Sequence, residues 1–191
     1  MTAALYLLAA QGIIGAFDTL YYHEWRARLP GRGARAAPEL RLHALRDFIY
    51  ALLFGTLPWL AWQGWWAAAL AAALAVEVVL TLADFVVEIR VRKPIGDVYA
   101  GERVTHAVMG IIYGCMLANL LPAVWDWWGR PTALAPAPAA APPALRWLLT
   151  AMAAGVFLSG ARDLYAALGL PGSAWPWQSD CAAPDGARPP G

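Results

Sequence analysis

Apolar runs of helix length alternate with short polar, Arg-rich segments along this chain. The runs cover residues 3–21, 48–66, 65–85, 104–125 and 145–160. Each approaches the roughly 20 residues that cross a hydrocarbon core, which predicts five helices. Polar positions inside the runs fall at helical intervals. Positions i, i+4 and i+7 share a helix face, so Glu39, His43 and Tyr50 form one stripe on the second helix. Glu102, His106 and Tyr113 form the matching stripe on the fourth. Glu77, Asp84 and Glu88 line up on the third, and Gln11 and Asp18 on the first.

These stripes belong to an internal duplication. Glu24-Trp-Arg26-Ala-Arg28-Leu-Pro30 and Glu88-Ile-Arg90-Val-Arg92-Lys-Pro94 both read E-x-R-x-R-x-P, and each is followed by E-x-x-x-H and then a Tyr. Asp18 and Asp84 lie at matching places upstream. The halves differ by two residues between Asp18 and Glu24, which predicts that the first helix ends or bends near Tyr22. His23 has no counterpart in the second half and reads as an interfacial residue, with an extra ligand or proton carrier as the alternative.

Composition turns the runs into membrane spans. Hydrophobic residues make up 60% of the chain, charged residues 14%, and the mean hydropathy is +0.48; soluble domains carry about 25% charged residues. The expected fold is therefore all-α and polytopic in a membrane. Two tandem transmembrane hairpins form a four-helix bundle over residues 1–129, with repeats at about 3–66 and 67–129. A Pro/Ala linker (130–143), a fifth transmembrane helix (144–170) and a disordered tail (171–191) follow. Arginines concentrate in residues 24–46 and 90–103, so the positive-inside rule places these loops in the cytoplasm of a bacterial inner-membrane protein, N-terminus outside and C-terminus inside. The tryptophans near residues 59–66 and 125–128 read as an interfacial aromatic belt. A net charge of +1 without a basic run argues against nucleic acid. Cys115 and Cys181 are too far apart for a metal motif, and Cys115 reads as a helix-packing residue.

An ionisable group within a span costs on the order of 2.5–3.5 kcal/mol, yet the four repeat helices carry several acids. Converging carboxylates need a positive partner, either arginine or a metal ion. Asp18 or Glu24, Glu39 with His43, Asp84 or Glu88, and Glu102 with His106 supply a carboxylate from each of two helices and a Glu/His pair from each of the others. In this ligand plan the chain resembles the di-iron and di-manganese carboxylate four-helix proteins, which use Glu-x-x-His where this chain has Glu-x-x-x-His. The resemblance implies one or two Fe, Mn or Zn ions held by these eight residues, with Tyr50 and Tyr113 as catalytic candidates.

Arg26, Arg28, Arg90 and Arg92 are candidates for holding a phosphate or other anionic group by bidentate hydrogen bonds. The functional expectation is a membrane-embedded, metal-dependent oxidoreductase acting on a lipid, quinone or other apolar substrate at the cytoplasmic face. Membrane lipids and a second copy of the chain are its candidate partners. An ion- or proton-coupled transporter and a non-enzymatic scaffold built on interfacial salt bridges are the alternatives.

Overall fold

Five α-helices and a π-helical segment build the chain in the computed structural model, which describes residues 1–137 and 141–176. Helix α1 (Thr2–Phe17) runs without a break into a π-helix, Asp18–Ala27, and a 3-10 segment, Leu29–Arg35. Helix α2 (Ala37–Thr56) starts with a proline in its first turn, where the missing N–H costs nothing. Strand β1 (Leu60–Gln63) leads into α3 (Trp65–Arg92) and α4 (Ala100–Trp128). Strand β2 (Ala133–Pro136) precedes α5 (Pro143–Ala167).

Each helix buries one stripe. On α3 the buried positions are Leu70, Leu74, Glu77, Asp84, Glu88 and Arg92, all on one face. On α4 they are Glu102, Tyr113, Met116, Leu120, Val124 and Trp127. One end of the interior is therefore an apolar core, containing Leu8, Leu53, Leu70, Leu120 and Leu149, and the other end is ionic.

The first-half helix does not end near Tyr22. Its two extra residues are absorbed by the wider π-helical turn, a device that recurs at functional sites. On an ideal α-helix, Asp18 and His23 would diverge by about 140° at 100° per residue. The i to i+5 repeat of the π-helix brings both to the same side, and both are buried.

The fifth helix is part of the bundle and packs along α2. Gly160 permits this, since a Cβ there would come 2.8 Å from the Asp47 Cβ and 3.1 Å from the Ala44 carbonyl oxygen. The linker also differs from its expected form, because its residues 133–136 pair antiparallel with β1, Leu60 opposite Pro136 and Gln63 opposite Ala133. Gly64 makes the turn into α3 at φ 60, where a Cβ would collide with Thr132. The expected disordered tail lies, for residues 177–191 and Cys181, outside the described residues. Cys115 is exposed and does not serve as a packing residue.

The membrane assignment is corrected. The chain forms a compact all-α bundle in whose interior Arg92 pairs with Glu39 and Glu102, and Arg46 with Asp84. Four helical stretches (Thr2–Ala27, Trp65–Ile95, Ala100–Trp128 and Pro143–Ala167) have the length and hydropathy to cross a bilayer by composition alone, and α2 does not reach that threshold. Their apolar windows are only 33, 22, 22 and 17% buried, and large apolar side chains such as Ile13, Val79, Leu82 and Ile111 stand on outer faces. Five spans, an inner-membrane location, a fixed inside–outside topology and membrane-lipid partners do not follow from this arrangement. The tryptophans of the expected belt pair among themselves: Trp65 with Trp128, Trp62 with Trp66, and Trp59 with Trp147. Arg146 lies 4.0 Å over the Trp59 ring.

Candidate metal centre

At the ionic end, α3 contributes Asp84, Glu88 and Arg92 at successive i, i+4 positions. Helix α2 contributes Glu39 and His43, α4 contributes Glu102 and His106, the π-helix contributes Asp18 and His23, and α5 adds Asp163. Among the described residues, two groups each bring their ligand atoms within 4.8 Å of one another: Asp18, His23 and His106 in one, His23, Glu39 and His43 in the other. They are buried carboxylate/histidine clusters of the di-metal kind, and His23 is common to both.

In the first cluster, Asp18 Oδ2 is 3.1 Å from His106 Nε2 and 3.3 Å from His23 Nε2. His23 Nε2 is also 3.3 Å from Glu102 Oε1, yet it has no hydrogen-bond alignment with any neighbour among the described residues. Asp18 Oδ1, Asp84 Oδ1, Glu88 Oε2 and His106 Nδ1 are likewise buried without a hydrogen-bond partner. In the second cluster, His43 Nε2 is 3.3 Å from Asp84 Oδ2 and 3.9 Å from Glu39 Oε1. The His23 and His43 rings stack at 4.5 Å between centroids.

The outer imidazole nitrogens also face carboxylates. His43 Nδ1 is 3.8 Å from Asp163 Oδ2, and His106 Nδ1 is 3.6 Å from Glu88 Oε2. Metal-binding histidines characteristically direct their second nitrogen at a carboxylate, which fixes the tautomer and ring orientation.

Arginines neutralise part of the charge. Arg92 is fully buried; its Nε donates to both Glu39 oxygens at 2.8 and 3.0 Å, and its Nη2 donates to Glu102 Oε1 at 2.8 Å. Arg46 donates to Asp84 Oδ2 at 2.9 Å. Beyond Arg46 lies a hydrogen-bond relay: Gln11 donates to the Tyr50 hydroxyl at 3.3 Å, which donates to Glu77 Oε1 at 3.0 Å, and Thr81 donates to the same oxygen at 2.8 Å.

The balance is uneven. Among the described residues, seven buried carboxylates (Asp18, Glu39, Glu77, Asp84, Glu88, Glu102 and Asp163) are met by the guanidiniums of Arg92 and Arg46, by Arg162 next to Asp163, and by three imidazoles. Burial alone would lower His43, but Asp84, Glu39 and Asp163 push it up to about 10. Burial would raise Asp84, and the cations of His43 and Arg46 instead hold it well below the carboxylate range. Asp18 is also lowered, its burial outweighed by His106 and His23. Glu88 and Asp163 are both pushed up to about 7 by burial, with other carboxylates reinforcing the shift.

A cleft of about 680 Å³ between the π-helix, α2 and α5 leads to the centre. Asp18, His23, His43 and Arg46 line its polar part, and Phe54, Met109, Met152 and Leu158 line its walls.

The sequence-derived candidates are not all brought together. Asp18, Glu39, His43, Asp84, Glu88, Glu102 and His106 converge on the clusters. Glu24 does not: it is carried away on the π-helix and pairs with Arg162 of α5. Tyr50 and Tyr113 adjoin each other at 6.1 Å between ring centroids, around Glu77 and apart from both clusters. The arginines do not converge either. Arg26 is exposed over the Tyr99 ring, Arg90 is exposed, Arg28 is half-buried, and Arg92 is engaged by Glu39 and Glu102. His23, read as interfacial, is instead the shared residue, and Asp163 was not foreseen. No family model matches the chain, and neither curated proteins nor solved structures provide a match.

Proposed function

We propose that this chain is a metal-dependent enzyme whose buried centre binds two divalent first-row ions, iron, manganese or zinc. The excess of buried carboxylates over guanidiniums carries this reading. A cation at this place satisfies the orphaned Asp18 Oδ1 and His23 Nε2 and relieves the charge that otherwise holds protons on Glu88 and Asp163. Mixed carboxylate and imidazole donors suit these metals.

Asp18, His23 and His106 would hold one ion, and Glu39 and His43 the other, with Asp84, Glu88 and Glu102 completing or orienting the donors. Such ions supply Lewis-acid polarisation and, for iron or manganese, a change of oxidation state. The chain's own residues would do the rest. Asp163 and Glu88 orient His43 and His106, and Arg46 with Asp84 links the centre to the Tyr50–Glu77 pair. The cleft admits a small molecule as far as Asp18, His23 and His43. The lipid, quinone or apolar substrate expected from composition, and its membrane setting, are not part of this function.

The test is metal content per chain by plasma mass spectrometry after growth with iron, manganese and zinc and purification without chelator. One to two equivalents are expected, falling about fivefold in His43→Ala/His106→Ala, which removes one imidazole from each ion's ligand set, with helicity retained. Metal-free wild type, or undiminished metal in the variant, contradicts the proposal.

A further inference from the structure

Arg92 makes the two halves of the centre unequal. Its side chain is buried, and its fork engages both oxygens of Glu39 together with one of Glu102, the two acids of the repeated E-x-x-x-H motif. One guanidinium thus bridges the carboxylates that duplication placed symmetrically. Its counterpart in the first repeat, Arg28, sits at φ 56 where the π-helix ends and is half-buried. The two-residue difference between the repeats, absorbed by the π-helix, therefore leaves only one of the two repeat-motif arginines, Arg92, inside the centre.

The consequences for ligands differ between the clusters. Both Glu39 oxygens already accept from Arg92, so an ion at Glu39 and His43 would share those oxygens with the guanidinium and sit beside a fixed positive charge. Asp18, His23 and His106 carry no such tie. Asp18 Oδ1 and His23 Nε2 are buried without hydrogen-bond partners, and Asp18, His23 and His106 each offer a ligand atom to a group within 4.8 Å. Arg92 Nη1 also lacks a partner, so the fork already gives up one donor to hold this position.

Building on the metal-centre reading, we infer that the ions bind in order, first at Asp18–His23–His106 and then at Glu39–His43, with Arg92 the positioning residue that weakens the second step. Arg92 acts through Glu39 and Glu102 and touches no reacting atom. Its role is to keep both carboxylates in place when the centre holds one ion and to set the concentration at which it accepts two.

The experiment titrates Mn2+ into the metal-free full chain, with free Mn2+ read by electron paramagnetic resonance and bound metal by mass spectrometry. Wild type is expected to show two steps at least tenfold apart, on the order of 1.4 kcal/mol. His106→Ala removes the tight step and leaves the weak one, while His43→Ala does the reverse. Arg92→Met brings the second step to within about threefold of the first. Arg92→Lys keeps a cation but loses the fork, and closes the gap by less; it also serves if Arg92→Met fails to fold. Two equal steps in wild type, loss of the tight step in His43→Ala, or an unchanged gap in both Arg92 variants overturns the inference while leaving the metal centre intact. No Mn2+ binding at all overturns the metal centre and the ordering together.

Discussion

Replacing Asp163 with Asn isolates what α5 contributes to the centre. Asp163 Oδ2 faces His43 Nδ1 at 3.8 Å, while His43 Nε2 points into the ligand cluster. Asn has nearly the same volume as Asp, so the packing cost is small. What changes is the carboxylate behind the imidazole, and losing such a partner lowers metal affinity about 10–100-fold, roughly 1.4–2.7 kcal/mol. An opposing effect exists, because removing this charge makes it easier for His43 to give up the proton a metal must displace. Asp163 is the weakest of the three carboxylates that hold that proton, behind Asp84 and Glu39, so the loss of orientation wins. The assay is calorimetric titration of the full chain with Zn2+ at pH 7.5 against a competing chelator. The His43 step should weaken by about 10–100-fold while the Asp18–His23–His106 step stays within about threefold. An unchanged His43 step, or an equal loss at both, would refute the reasoning.

Other outcomes follow from the same geometry. Gly160→Ala drives a methyl against the Asp47 side chain and the Ala44 carbonyl and should destabilise the fold by about 1–3 kcal/mol, seen as a lower Tm; an unchanged Tm would contradict the α2–α5 packing. Tyr50→Phe removes the donor to Glu77 and the acceptor for Gln11, at about 1–3 kcal/mol in urea unfolding; a neutral effect would contradict a closed relay. In the metal-free chain, Asp47, Glu88 and Asp163 titrate at about 6, 7 and 7, above their unfolded values, so their stabilisation is full below about pH 4 and is lost as pH rises through these values. His43, raised to about 10, stabilises fully below about pH 6.5 and loses its contribution as pH rises through 10. All four act in the same direction, so Tm should fall steadily from about pH 5 to 9, and a rising profile would contradict the assignments.

The repeat made most of the ligand set legible, because helix periodicity alone places Glu39 with His43, Glu102 with His106, and Asp84 with Glu88 on inward faces. His23 read first as interfacial, and as an extra ligand only in the alternative, for a definite reason. On an α-helix five residues beyond Asp18 it would point elsewhere, and only the π-helical turn brings it inside. The signal was present in the two-residue offset between the repeats, read as a helix end when it marks a wider turn. Asp163 was hidden by the Pro/Ala segment before it, whose composition suggested a tether and concealed a strand that pairs with Leu60–Gln63. The membrane reading came from hydropathy, which measures how apolar a helix is and cannot report that its charged residues meet at one end of the bundle.

X-ray absorption at the zinc K-edge of the Zn2+-loaded chain tests the central claim most directly. The account predicts a first shell of nitrogen and oxygen donors at about 2.0–2.1 Å with outer-shell scattering from imidazole, reduced in His106→Ala and again in His23→Ala/His106→Ala. A shell of water alone, or imidazole scattering unchanged in both variants, would contradict it.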